Sequence, residues 1–95
     1  MNNKHKEIRN IMWLILNKLN RMDKWGHAHT ALRNITKGLP LRYTTSGYGK
    51  KLIQKAIKEL ARMQTIMAKP STGEIHVSLN PRKTKEIKEF LALFR

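Results

Sequence analysis

The chain has 95 residues, of which 20 are Lys or Arg and 6 are Asp or Glu, so its formal net charge is +14. Repulsion on this scale is most easily tolerated when a polyanion neutralises it, whereas a hydrophobic fraction of 40% excludes a disordered basic tail. The absence of cysteine excludes disulfides and thiolate chemistry. The longest apolar run, Ile11 to Leu16, is too short to cross a bilayer. We therefore expect one domain over residues 1–95 in the cytoplasm, with no membrane partner and no cofactor.

The positive charge is unevenly distributed along the chain. Residues 1–72 hold 15 basic and 3 acidic side chains, whereas residues 73–95 hold 5 and 3. The surface that binds an anion is therefore expected before the C-terminal quarter of the chain.

Two helices are predicted in the N-terminal part. From His5 to Arg21 apolar residues recur three and four positions apart, which is typical of an amphipathic helix. This period is lost at Asp23–Gly26, where a turn is expected. A shorter helix is then predicted over Thr30–Thr36. The segment Gly38–Pro40 ends it, because Gly permits a left-handed C-terminus and Pro cannot continue a helix.

The third predicted helix has the clearest division into an apolar side and a basic, polar side. Residues Leu41–Gly49 are rich in Thr, Ser and Gly and are predicted to form a loop, with Ser46 as the N-cap of a helix near Tyr48–Gln64. One side of this helix carries Leu52, Ile53, Ala56, Ile57, Leu60 and Met63. The other side carries Lys50, Lys51, Gln54, Lys55, Lys58 and Arg62.

A β-hairpin and a last helix are predicted after Gln64. Thr65–Lys69 is the first strand, Pro70–Gly73 the turn and Glu74–Leu79 the second strand. In the second strand Ile75, Val77 and Leu79 share a face, which leaves His76 and Ser78 on the opposite, exposed face. Asn80 and Pro81 are predicted to start the last helix. That helix is expected to bury Ile87, Phe90, Leu91 and Phe94.

This order of elements resembles the winged helix-turn-helix superfamily. The resemblance is strongest over Gly49–Asn80, GKKLIQKAIKELARMQTIMAKPSTGEIHVSLN, where a basic helix runs into two strands. The segments Trp25–Thr30 and Lys37–Pro40 also look like small archaeal winged-helix proteins of unassigned function. The resemblance implies an α+β fold with three helices, a two-stranded wing and a C-terminal helix. It also implies that the third helix enters the major groove of DNA, while the wing touches the flanking backbone or minor groove. The loop Leu39–Gly47 is longer than the usual turn of this motif.

The residues of the basic helix and the wing predict contacts with nucleic acid, most readily duplex DNA. The four lysines of the helix lie within about 140° of arc and can face a phosphate backbone. Gln54 is the candidate base reader, and Ser46 with the helix N-terminus is expected to hold a phosphate. Lysines discriminate bases poorly, so modest sequence specificity is expected. The candidate nucleic-acid-binding residues are Arg42, Ser46, Tyr48, Lys50, Lys51, Gln54, Lys55, Lys58, Arg62, Lys69, Ser71 and Thr72.

Other interpretations of the same surfaces stay open at this stage. The basic side also fits RNA, as in a ribosome-associated protein, and it is also interpretable as an ordinary solvated helix face. Lys69 is equally well explained as an edge-strand lysine that opposes aggregation. The apolar C-terminal helix fits a protein-interaction module, and a homodimer through the first or the last helix is a further alternative.

Metal and enzyme sites are disfavoured by the sequence. His27 and His29 form a His-x-His pair for which His5 or His76 would be the third ligand, but no cysteine and few acids are present to complete a site. A structural role at the turn is preferred. The acids are dispersed and no phosphate-binding loop is present, so no catalytic activity is expected.

Overall fold

Helix α1, Lys4–Arg21, is the central element of the computed structural model, which describes residues 3–94. Its predicted apolar side is completely buried at Ile11, Ile15, Leu16 and Leu19, and it packs against helices from the rest of the chain. The helix ends with Asp23 in the left-handed region (φ 58°). The fold is α+β, as the sequence predicts.

The segment after α1 differs from the prediction. A short strand β1, Thr30–Ala31, precedes helix α2, Leu32–Thr36, where a single helix from Thr30 was expected. The strand forms because Thr30 pairs with Val77, a contact with a distant part of the chain that local periodicity does not report. Trp25 packs against the core.

The predicted loop before the basic helix contains a helical turn, α3, Leu41–Thr44. Pro40 precedes this turn, and its carbonyl accepts a hydrogen bond from the Tyr43 amide at 2.9 Å. Tyr43 is 2% exposed and fixes the turn against α1. The prediction of a loop over Leu41–Gly49 was wrong because the burial of one aromatic ring outweighs the weak helix preference of the segment.

Helix α4, Gly47–Arg62, is the predicted basic helix. Ser46 is its N-cap, since its hydroxyl accepts a hydrogen bond from the Gly49 amide at 2.9 Å. The helix ends in a left-handed residue, Gln64 (φ 61°). The boundaries are within two residues of those expected, because this helix is specified by its own sequence.

The hairpin consists of strands β2, Ile66–Ser71, and β3, Glu74–Leu79. Thr72 and Gly73 both have positive φ (48° and 79°), as in a tight two-residue turn that matches the twist of the strands. The sheet has three antiparallel strands in the order β1-β3-β2, so the expected two-stranded sheet was one strand short. Pro70 lies in the edge strand β2, where a missing amide hydrogen is tolerated.

Two side chains of β3 lie opposite to expectation. Ile75 is 46% exposed, whereas Ser78 is only 3% exposed. Ile75 is close to the turn of the hairpin and lies beyond β1, which pairs with β3 only at His76 and Val77. Ser78 is covered because β3 is the central strand and the chain at Gly26 runs alongside it, where the Gly26 amide donates to the Leu79 carbonyl at 2.9 Å.

Asn80 caps a 3-10 turn, Pro81–Lys83, that leads into helix α5, Thr84–Leu93. Ile87 is fully buried, and the Trp13 indole on α1 donates to the Leu91 carbonyl at 2.9 Å. Phe94 was expected to be buried but is 42% exposed, because it follows the last turn of the helix. Among residues 3–94, no helix is both long and apolar enough to cross a membrane.

Candidate nucleic-acid interface

The two sides of α4 have opposite environments. Toward the core, Leu52, Ile53, Ala56 and Leu60 are at most 7% exposed. On the other side the polar residues all face solvent: Lys50, Lys51, Gln54, Lys55, Lys58 and Arg62. The fold therefore leaves the predicted lysine side of α4 uncovered by the described residues.

Lys55 lies beside other ammonium groups. Lys4, at the start of α1, makes the largest contribution to lowering the pKa of Lys55, and Lys51 and Lys58 lower it further. A lowered lysine pKa among like charges means that a bound anion would relieve repulsion. The structure thus adds Lys4 to the candidate surface. No local signal in the sequence identifies it, since it lies far from α4 along the chain.

The acids near this surface are already paired with arginines. Glu59 on α4 contacts Arg62, and Glu7 on α1 lies 3.6 Å from the Arg42 guanidinium and accepts a hydrogen bond from the Tyr43 hydroxyl. Every salt bridge between residues 3–94 uses an arginine. The lysines of α4 therefore have no carboxylate of the described chain within salt-bridge distance.

Arg42 and Arg62, both predicted site residues, have roles inside the fold. The Tyr43 hydroxyl, 2.8 Å away, and Glu7 raise the pKa of Arg42, while Glu59 raises that of Arg62. Both arginines keep more than half of their side-chain surface exposed. Their charge is partly offset by the neighbouring carboxylates, so the lysines supply most of the attractive potential.

Ser46 and Tyr48 lie at the N-terminal end of α4. The Ser46 hydroxyl is used as the helix cap, so its first role is structural. Tyr48 is 63% exposed and precedes Lys51 and Lys55 by one and two turns of the helix. An exposed aromatic side chain beside lysines is suited to contact sugar or base edges.

The hairpin presents a second, smaller polar surface. Lys69 and Thr72 are exposed, and Ser71 is half-buried. Glu74 follows the turn, and its carboxylate lies 2.7 Å from the Arg33 guanidinium of α2. That ion pair offsets a negative charge that would otherwise repel phosphate near Lys69.

Two histidines meet on the outer face of the sheet. The Nδ1 atoms of His29 and His76 are 2.8 Å apart, so one donates and the other accepts a hydrogen bond. Partial burial lowers the pKa of His29, and Lys69 and His76 lower it further. His76 is half-buried, whereas the sequence predicted that it would be exposed. Among the described residues no group of three or more His, Cys, Asp or Glu is placed to hold a metal ion.

Comparison of the chain with protein-family models, with curated proteins and with solved structures finds no match. The function is therefore argued from the geometry of these surfaces.

Proposed function

We propose that the chain is a winged helix-turn-helix protein that binds duplex DNA. In this proposal α4 lies in the major groove and the β2–β3 hairpin is the wing that touches the flanking backbone. The observation that carries the proposal is the uncovered lysine side of α4, which lies opposite a buried apolar side. The arrangement of a basic helix that leads directly into a hairpin supports the winged-helix assignment. We place the protein in the cytoplasm, as a regulator or a chromatin-like protein.

The chemistry of the surface favours backbone contacts over base reading. Lys50, Lys51, Lys55 and Lys58 each supply a mobile point charge, which neutralises phosphate and releases counterions. Gln54 lies between them and is the one amide side chain of α4, and it can pair with a base edge in the major groove. Affinity should therefore depend strongly on salt and only modestly on sequence.

The test compares two charge-matched triple variants. Lys51→Ala, Lys55→Ala and Lys58→Ala remove three predicted phosphate contacts. Lys18→Ala, Lys85→Ala and Lys88→Ala remove the same charge from exposed positions outside the interface. Binding of a labelled duplex is measured by fluorescence anisotropy between 50 and 200 mM salt. The interface variant should flatten the slope of log affinity against log salt by about 3, whereas the control keeps most of the wild-type slope.

The size of the effect follows from the slope. Three phosphate contacts weaken binding about 40-fold over this fourfold rise in salt. The affinity of the interface variant should therefore fall about 40-fold less over the same range than the affinity of the wild type. Equal slopes for the two variants would show that net charge, and not the side of α4, governs binding. Preference for structured RNA over the duplex in direct competition would assign the surface to RNA.

A further inference from the structure

A groove runs between α1, α4 and α5, beside the lysine side of α4. It is open to solvent and has a volume of about 820 Å³. Its floor is apolar and consists of Ile8 and Met12 from α1, Met63 at the end of α4, and Phe90 from α5. Met12 is 6% exposed, and the other three are half-buried against the core. An open groove with such a floor has room for an apolar group.

The groove is cationic at its rim. Lys4 and Arg9 line it from α1, and Lys55, Lys58 and Arg62 line it from α4. Its one acid, Glu59, already contacts Arg62. An apolar group that enters this groove is therefore favoured when it carries a negative charge.

Each of the two long helices contributes an ammonium group and a thioether to the groove, and Arg9 and Arg62 also line it. On α1, Lys4, Ile8 and Met12 recur at intervals of four, and on α4, Lys55 and Met63 are eight positions apart. Each helix thus places an ammonium group first and a thioether about 12 Å further along. Since Lys4 and Lys55 are close enough for Lys4 to lower the pKa of Lys55, the two ammonium groups share one end of the groove.

We propose that this groove binds a fatty-acid-type anion, with its carboxylate between Lys4 and Lys55 and its alkyl chain along Met12, Met63 and Phe90. An alkyl chain suits the floor, because it can lie along the apolar side chains that α1, α4 and α5 contribute to the groove. Methionine side chains adapt to flexible ligands. No part of this assignment requires the proposed DNA binding.

Isothermal titration calorimetry with dodecanoate, below the concentration at which it forms micelles, tests the proposal. Dodecanoate should bind one site. Acetate, which keeps only the carboxylate, should bind at least about 100-fold more weakly. Dodecyltrimethylammonium, which has the same tail and the opposite charge, should also bind more weakly.

Two pairs of matched variants locate the site. Met63→Gln should weaken dodecanoate binding about fourfold, which corresponds to the burial of about one methylene, whereas Met67→Gln on the sheet should not change it. Lys55→Gln should weaken it about fivefold, whereas Lys85→Gln should not. Circular dichroism establishes that each variant is folded. Binding of many copies of dodecanoate, or equal weakening by the two members of either pair, would overturn the proposal.

Discussion

The start of α4 and its lysine side differ in what their polar groups contact. At the start, the Ser46 hydroxyl, the Gly49 amide and the Tyr43 ring are all used in contacts within the protein. On the lysine side, the described neighbours of Lys55 are other lysines. The arginines Arg42 and Arg62 belong with the first group, because each contacts a carboxylate. The net charge alone therefore overestimates the binding surface, because the charged groups of Arg42 and Arg62 contact carboxylates within the fold.

The largest effect on the free energy of unfolding is expected for Gly49→Ala. A Cβ atom at this position would lie 2.5 Å from the Cα atom of Tyr43 and 2.7 Å from its carbonyl carbon. Backbone atoms cannot move aside as the end of a side chain does, so α3 and α4 must separate. We expect a loss of about 1–3 kcal/mol in the free energy of unfolding, measured by urea denaturation.

Gly47→Ala is the control for this substitution. Nothing lies within 4 Å of a Cβ atom at Gly47, and alanine restricts the unfolded chain, so stability should stay the same or rise by up to about 1 kcal/mol. If the two variants were equally stable, the close approach of Tyr43 to α4 would not exist in solution.

The elements that the sequence predicts well are those with local causes. The apolar side of α4, the Ser46 cap and the Asn80–Pro81 start each depend on residues within a few positions of one another. Their physical reason is present in any short window of the sequence, whatever the rest of the chain does. The exposed lysine side of α4 follows from the same local pattern.

The elements that the sequence does not predict depend on distant partners. Strand β1 exists because Thr30 meets Val77, and Lys4 belongs to the candidate surface because α1 packs beside α4 at Lys55. Gly49 looks like an ordinary turn residue until Tyr43 is placed against it. Fold class and the main basic side are thus accessible from sequence, whereas the third strand and the edges of the surface are not.

Substitutions of Ser46 are expected to have a smaller effect. They distinguish the role of the start of α4 in stability from its role in DNA binding. Ser46→Ala removes the cap and should lower the free energy of unfolding by about 1 kcal/mol, with little change in affinity for DNA. Ser46→Asp keeps an N-cap acceptor and adds a negative charge beside the lysine side, so it should preserve stability but weaken DNA binding. Urea denaturation and anisotropy measured on both variants check this. Unchanged DNA affinity in Ser46→Asp would place the DNA away from the start of α4.

The smallest expected effect concerns pH and the sheet rather than α4. Because burial and the nearby Lys69, His76, Lys24 and His27 lower the pKa of His29, the unfolded chain binds its proton at a higher pH than the folded protein does. This contribution to stability is present above the unfolded value of about 6.5 and is lost as the pH falls below it. The urea midpoint should therefore decrease between pH 7.5 and 5.5.

His29 is responsible for that decrease if His29→Gln reduces the dependence of the urea midpoint on pH relative to the wild type. Since α4 contains no histidine, the same pH change should alter the stability of the sheet without removing DNA binding. An unchanged pH dependence in His29→Gln would mean that burial and the nearby Lys69 and His76 do not lower the pKa of His29 in solution.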